Sequence, residues 1–334
     1  MKISASIYSD SHNELAQTIK SLDEHQVDLF HVDCNDDLSV FDDIIALRKM
    51  SNIPVDLHII TPTPSKYFEL LLEVPVDYVT FQLEPLKEPL IWPSELTASK
   101  GVAITTPTSI DRFDEYANCD FILIMATVPG QSGGVFDKEN FKKIRTFRKR
   151  YPNKSIHVDG GVNGEVSFIL RNMGVSTAVS GSYLFKGPSI GHALMNLTTR
   201  NQASTFRIED FMMPFEECPI VQLETCTTES ILEEIELGNL GFCLVTDQTS
   251  ALVGIVASAD IRKALLNQLK HNQAITPQSL LNQTPLTISA KQSVVELLQL
   301  LKRTTFPVMY LPVVNEKQQA VGIINFVNLI KGEL

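Results

Sequence analysis

Three features of the 334-residue sequence predict an α/β protein with a (β/α)8 TIM barrel over residues 1–200 and a smaller α+β module over 203–334. Short β-branched apolar runs alternate with amphipathic stretches, as parallel βαβ units require, and eight such units can be counted in the first part. Nearly every apolar run ends in a polar residue of chemical interest, and a barrel gathers its strand ends at one mouth. After Asn201 the polar segment NQASTFRIED introduces a different pattern, an internal repeat in two units of about 60 residues.

In chain order, the strands read as ISASIY (3–8), LFHVDC (29–34), VDLHII (55–60), YVTFQL (78–83), VAITTP (102–107), FILIMATV (121–128), SIHVDG (155–160) and TAVSGSY (177–183). Helices are expected at 13–25, 40–50, 64–74, 138–151 and 164–174. The stretch after the fourth strand, PLKEPLIWPSEL, is Pro-rich and makes a poor helix. The barrel is lean beside the ~250 residues typical of the fold. A doubly wound open sheet is the alternative arrangement of the same alternation.

A net charge of −11 with scattered basic residues argues against a phosphate-backbone ligand, so no nucleic-acid partner is expected. The cluster KKIRTFRKR (142–150) reads as the solvated face of a helix. The five cysteines form no C-x-x-C pair, which indicates neither a zinc knuckle nor a disulfide framework and fits a reducing cytoplasm. The first residues lack the pattern of a signal peptide, and no apolar run approaches the ~20 residues of a membrane span. A soluble, cytoplasmic protein with no membrane partner is expected.

The polar strand ends carry the chemistry. Strand two ends with His31 and Asp33, strand three with His58 and strand seven with Asp159. Residues i and i+2 of a strand face one side, so in a barrel all four converge on one mouth. Two imidazoles and two carboxylates suit a divalent transition metal such as zinc, iron, manganese or cobalt, with room left for substrate oxygens. Singly, His58 would be a core histidine and Asp159 a turn former; together they make a site. Three glycine loops follow strands six, seven and eight: PGQSGG, with Gly130, Gln131, Ser132 and Gly133; DGG, with Gly160 and Gly161; and SGS, with Gly181 and Ser182. Barrels bind phosphate at this place through backbone N–H groups.

The pieces ISASIYS, HVDCNDD, VDLHII, ITTPT, MATVPGQSGGVF, HVDGGV and VSGSYLF, in this order, make residues 2–195 resemble the ribulose-phosphate 3-epimerases. The resemblance implies that His31, Asp33, His58 and Asp159 bind the metal and that Asp33 and Asp159 are acid and base on opposite faces of the substrate. It also implies that Ser6 touches the substrate, with His58 beside it. Removing the proton next to a ketone leaves an enediolate, whose charge a metal neutralises; inversion then needs a second carboxylate on the other face. The chain departs from the family at Asn35, Asp37, Ile60 and Gln82, where the family has methionine, glycine, methionine and histidine. The core chemistry is therefore expected to persist in a rebuilt sugar pocket, with ribulose 5-phosphate turned over poorly beside some related ketose phosphate. A decarboxylase of related barrels is disfavoured because HVDCNDD lacks the lysine of D-x-K-x-x-D. A non-catalytic sugar-phosphate or nucleotide sensor is the competing class.

Beyond the linker, GFCLVTDQTSALVGIVASADIRKAL (241–265) and VMYLPVVNEKQQAVGIINFVNLI (308–330) share one plan: apolar strand, polar turn, a strand led by V-G-I, then a helix. Residues 208–334 resemble a tandem pair of CBS domains. The family's ribose-holding G-x-x-T-x-x-D appears as GIVASAD, keeping Asp260 but with Ala257 for threonine; Asn325 and Asn328 replace both in the second copy. The resemblance implies regulation or homo-oligomerisation through this module, and an adenine nucleotide or nucleotide sugar at Asp260.

Overall fold

A computed structural model describes residues 1–129, 133–198 and 206–326. The chain divides into two compact units, Met1–Gln202 and Ala203–Val327.

The first unit is a closed parallel barrel of eight strands in sequence order. They are β1 (Lys2–Ser6), β2 (Leu29–Asn35), β3 (Val55–Ile60), β4 (Tyr78–Gln82), β5 (Ser99–Thr105), β6 (Phe121–Met125), β7 (Ser155–Asp159) and β8 (Thr177–Ser180). Closure comes from β1 beside β8, with Ala5 opposite Ser180. An open doubly wound sheet is thereby excluded. The register places Asp33 level with His58, and Met125 with Asp159. Alternation then sends His31, Asp33, Asp56, His58 and Asp159 to the interior. Opposite them, Ala103, Leu123 and Met125 form a small apolar cluster. At Gly101 a Cβ would stand 2.3 Å from the Phe121 ring, so the missing side chain gives that ring its place.

The outer layer is less regular than eight repeats imply. Helices follow as α1 (Leu15–Glu24), α2 (Val40–Met50), α3 (Phe68–Glu73, entered through a 3-10 turn), α4 (Glu139–Arg150), α5 (Gly164–Asn172), α6 (Ser182–Lys186) and α7 (Ile190–Thr198). Between β4 and β5 there is none. Pro85, Pro89 and Pro93 recur every fourth residue, and each removes an N–H and pushes its predecessor out of helical φ/ψ. Trp92 covers the barrel there instead, its ring 5.4 Å from that of Phe81. Between β5 and β6 only a 3-10 stretch, Ile110–Tyr116, is formed. Strand six stops at Met125 rather than Val128, which hands Ala126–Val128 to the loop at the mouth.

The second unit repeats one plan twice. Helix α8 (Ile208–Phe211) and strand β9 (Met213–Pro214) lead into β10 (Ile220–Gln222), α9 (Thr228–Gly238), β11 (Phe242–Thr246), β12 (Leu252–Ala257) and α10 (Ser258–His271). The second copy comprises α11 (Pro277–Leu280), β13 (Ile288–Ser289), α12 (Val294–Arg303), β14 (Tyr310–Val314) and β15 (Ala320–Asn325). In both copies the first strand pairs parallel to the second and the second antiparallel to the third, with a register shift at Val245/Thr246 and at Val313/Val314. The copies also exchange edges: Met213 pairs with Ile323, and Asn282 with Ile255. That exchange explains the V-G-I signature. A Cβ on Gly254 would stand 2.4 Å from the Asn282 carbonyl oxygen, and one on Gly322 2.3 Å from that of Met213.

Candidate active site

Strand ends β2, β3 and β7 deliver four side chains to one point. One donor atom from each of His31, Asp33, His58 and Asp159 can be chosen so that all lie within 4.8 Å of one another. His31 is fully buried, and its Nδ1 lies 2.9 Å from Asp56 Oδ2, which also accepts a hydrogen bond of 3.0 Å from Ser4 Oγ. Burial alone would raise the Asp56 carboxyl, but the imidazole of His31, with help from His157 and Ser4, holds it below the ordinary range. An ionised Asp56 can only accept, so His31 carries its proton on Nδ1. Its Nε2 then faces Asp33 at 3.3 Å and Asp159 at 3.9 Å, buried and without a hydrogen bond.

That orphaned nitrogen tests whether a metal fits. A buried ring nitrogen facing two carboxylates costs free energy unless positive charge, a proton or a cation, sits between them, and carboxylate–histidine pairs of this kind recur behind metal ligands. On His58, Nε2 lies 2.9 Å from Gln82 Oε1 and Nδ1 3.3 Å from Asp33 Oδ1. Two imidazole nitrogens and two carboxylates therefore converge, a donor set suited to a divalent transition metal. Charge agrees with geometry. Although burial opposes a proton on His31, the fields of Asp33 and Asp56 raise its affinity for one well above the usual imidazole value, so the surroundings favour positive charge here.

The two candidate acid–base carboxylates are held apart. For Asp33, burial is outweighed by the charge of His31 and by the closeness of both imidazole rings, and its carboxyl falls far below the ordinary range. For Asp159, burial dominates, the nearby Asp33 charge adds to it, and the carboxyl is pushed up to about 6. Two carboxyls whose affinities are driven apart can divide base and acid roles.

Above them opens a cavity of about 520 Å³. Asp33 and Asp159 form part of its floor, and Ser6, Gly133, Gly160, Gly161, Gly181 and Ser182 line it as the sequence suggested. Gly160 (φ 110°) and Gly161 (φ 66°) hold left-handed backbone, and Cβ atoms there would meet Thr127 at 2.3 Å and the Phe136 backbone nitrogen at 2.2 Å. Gly130, Gln131 and Ser132 lie outside the described residues. His58, expected also to touch substrate, is fully buried and does not line the cavity; it sits behind Asp33. Of the substitutions expected to rebuild the sugar pocket, Asn35 lines the cavity, whereas Ile60 and Gln82 do not.

Sequence reasoning passed over three participants. Asp56 announces itself only as a carboxylate in an otherwise apolar strand, two residues before His58. Tyr8 lines the cavity while its hydroxyl donates to Asp43 at 2.7 Å. Lys186 is the single lysine or arginine among the described lining residues. Its Nζ is placed 3.6 Å from where a Gly133 Cβ would stand, which puts a cation at the end of the cavity that the glycine loops enclose.

Comparison with known proteins agrees. Residues 2–185 match the Ribulose-phosphate 3 epimerase family. The chain belongs to that family. The ribulose-phosphate 3-epimerase of Synechocystis sp. is 30% identical over 209 residues, 58% of this chain and 90% of that protein. The Methanocaldococcus jannaschii enzyme is 30% identical over 213 residues, 59% of this chain and 89% of its own. This protein is accordingly an isomerase, a sugar-phosphate epimerase with a CBS module. Residues 278–333 match the CBS domain family. Among solved structures, a CBS domain-containing protein from Bacillus anthracis covers 38% of this chain and 92% of its own at 17% identity and a TM-score of 0.33. CBSX2 in complex with AMP covers 38% and 96% at 23% identity, also with a TM-score of 0.33.

In the second unit, Asp260 stands in the first turn of α10. Its Oδ2 accepts the Ala257 N–H at 3.1 Å and its Oδ1 lies 3.4 Å from Lys263 Nζ. Asn325 ends β15, and Asn328 lies outside the described residues. No helix of the described residues is long and apolar enough to cross a membrane.

Proposed function

We propose that the barrel inverts C3 of a ketose phosphate, ribulose 5-phosphate or a relative, by proton transfer between Asp33 and Asp159 through an enediolate. The observation that carries this is the placement of two carboxylates from different strands, 19% and 18% exposed, at one cavity floor with their affinities driven apart. Asp33, the ionised member, removes the C3 proton in one direction. Asp159 supplies a proton to the opposite face, and the roles exchange in reverse. His31, Asp33, His58 and Asp159 would hold a divalent cation, and when bound it supplies positive charge to the oxygens of the enediolate. Asp56 keeps the His31 ring oriented for that task. The glycine loops, Ser6, Ser182 and Lys186 bind the phosphorylated part, so the cavity is acidic at its floor and cationic at its phosphate end.

Asn35 and Tyr8 select the sugar, because both line the cavity and offer it polar side chains. The C-terminal pair serves regulation or homo-oligomerisation. Leu265, Leu266 and Leu269 on α10 are exposed, Leu269 by 82%, an apolar face that a second copy would cover. Asp260 is the group proposed to hold the ribose of an adenine nucleotide. All five cysteines are unpaired, which fits the cytoplasm. The test is a panel of phosphorylated ketoses assayed for epimerisation with metal-stripped and zinc-, iron-, manganese- or cobalt-restored protein. Turnover that returns with metal supports the proposal. No turnover of any ketose phosphate under any of these conditions would point to a sensor.

A further inference from the structure

Behind the site, a chain of hydrogen bonds runs from His58 to the rim of the barrel. His58 Nε2 lies 2.9 Å from Gln82 Oε1, and Gln82 Nε2 donates to Glu84 Oε2. The other oxygen, Glu84 Oε1, accepts the Thr105 N–H at 2.8 Å, the Thr105 hydroxyl at 2.9 Å and the Thr108 hydroxyl. Lys143 pins the loop that carries those donors, giving hydrogen bonds to the carbonyls of Thr105 at 2.6 Å, Thr106 at 2.8 Å and Thr108 at 2.5 Å.

We infer that Glu84, acting through Gln82, is a positioning residue that fixes a proton of His58 on Nε2, so that Nδ1, 3.3 Å from Asp33 Oδ1, is the nitrogen a cation would meet. The inference rests on the proposed ligand set. Its logic is donor and acceptor counting. Glu84 faces solvent at the rim and is surrounded by donors; hydrogen bonds from Thr105, Thr108 and Gln82 hold its carboxyl below the ordinary range against the effect of burial. An ionised carboxylate can only accept, so the end of the Gln82 amide that meets it is the NH2. The other end is then the carbonyl, which also only accepts. The ring nitrogen it meets must be N–H. Gln82 is 1% exposed, so no solvent competes for that end. A glutamine alone would accept either tautomer by turning its amide over; Glu84 removes the choice. His31 is treated likewise, with Asp56 placing the proton on Nδ1, so the two rings offer opposite nitrogens, Nε2 from His31 and Nδ1 from His58. The two rings need opposite nitrogens because His31 shares strand β2 with Asp33 while His58 reaches it from β3 alongside.

Nitrogen-15 spectra of histidine-labelled, metal-free, full-length protein test it, with His58→Gln used to assign the ring. The wild type is expected to show Nε2 protonated. Glu84→Gln should mix the tautomers and weaken zinc binding about 10–100-fold in a chelator competition. Exchanging the two groups, Gln82→Glu together with Glu84→Gln, should restore the tautomer and most of the zinc affinity, since a carboxylate then accepts from His58 directly. A role for Glu84 limited to tying down Thr105 and Thr108 predicts that the exchange restores neither. That result would overturn the inference, as would a bare Nε2 in the wild type, or Glu84→Gln with both tautomer and zinc affinity unchanged. Should Glu84→Gln not fold, the wild-type tautomer and the exchanged pair decide. Failure of the wild type to bind zinc, or any metal that restores turnover, would count against the proposed function, while the metal-free spectrum would still judge the role of Glu84.

Discussion

His31, within barrel strand β2, and Asp260, in the first turn of α10 of the C-terminal module, are both polar groups singled out for binding, and they are treated differently. His31 is fully buried, oriented by Asp56 and left with an unsatisfied nitrogen that faces two acids. Asp260 gives one oxygen to the N–H of Ala257, capping its own helix, and offers the other to Lys263. The barrel organises polar groups beyond what its backbone needs, whereas the described polar groups of the module largely complete its own turns and caps. The glycines tell the same story. Gly160 and Gly161 bend backbone around a cavity, while Gly254 and Gly322 let one copy of the repeat press against the other.

The sharpest way to break this contrast is to neutralise one carboxylate. Asp33→Asn and Asp159→Asn are each expected to abolish epimerisation, a loss of at least ~10²–10⁴ in rate. A single variant that keeps its metal should still exchange the C3 hydrogen with solvent deuterium from its remaining face, without inversion. Metal content measured beside activity separates a lost base from a lost ligand. Wild-type epimerisation by either variant would sink the two-carboxylate mechanism.

The next effect is on acid stability. His157 is buried against Phe121, ring centroids 4.1 Å apart, and burial lowers its pKa from 6.5 to about 4. As pH falls, the unfolded chain takes up this proton before the native barrel does. Stability present above pH 6.5 is therefore withdrawn between 6.5 and about 4. The full contribution is roughly 3 kcal/mol at most. In His157→Leu, the loss of barrel stability over this window, followed by denaturant titration at several pH values, should be smaller by up to that amount. A pH profile parallel to the wild type would refute it.

In the module the expected effects are smaller and structural. Gly254→Ala and Gly322→Ala each place a methyl against a carbonyl oxygen of the other copy, and should lower the module's unfolding midpoint by about 1–3 kcal/mol of stability. An unchanged midpoint would mean the copies do not pack as described. Asp260→Ala should cost ~1 kcal/mol through the lost cap. If Asp260 also holds a ribose, calorimetric titration of the full-length variant with adenine nucleotides should show no heat of binding where the wild type does. Equal binding by both would leave capping as its role.

Much of this was legible in the sequence, and physics says why. All eight barrel strands were visible because buried parallel strands are short β-branched runs, and the period of two then pointed His31, Asp33, His58 and Asp159 to one side. The Pro-rich stretch after β4 announced the missing helix. Local signals such as these depend only on neighbouring residues. The bulge-matched repeat of the module was legible for the same reason, since V-G-I recurs with the same turn between its strands.

What the sequence left undecided are the partnerships between segments far apart in the chain. Asp56 reads as an odd residue in an apolar strand until closure of the barrel sets it against His31, 25 positions away. Gln82 looked like a change in the sugar pocket; the register of β3 beside β4 instead puts it behind His58. Lys186 was one cation among many until the turn into α6 brought it beside the glycine loop that follows β6. Residue type and periodicity determine which groups a strand displays and on which face. Which proton each ring carries, and which end of the cavity is cationic, depends on contacts that exist only once the eight strands have closed.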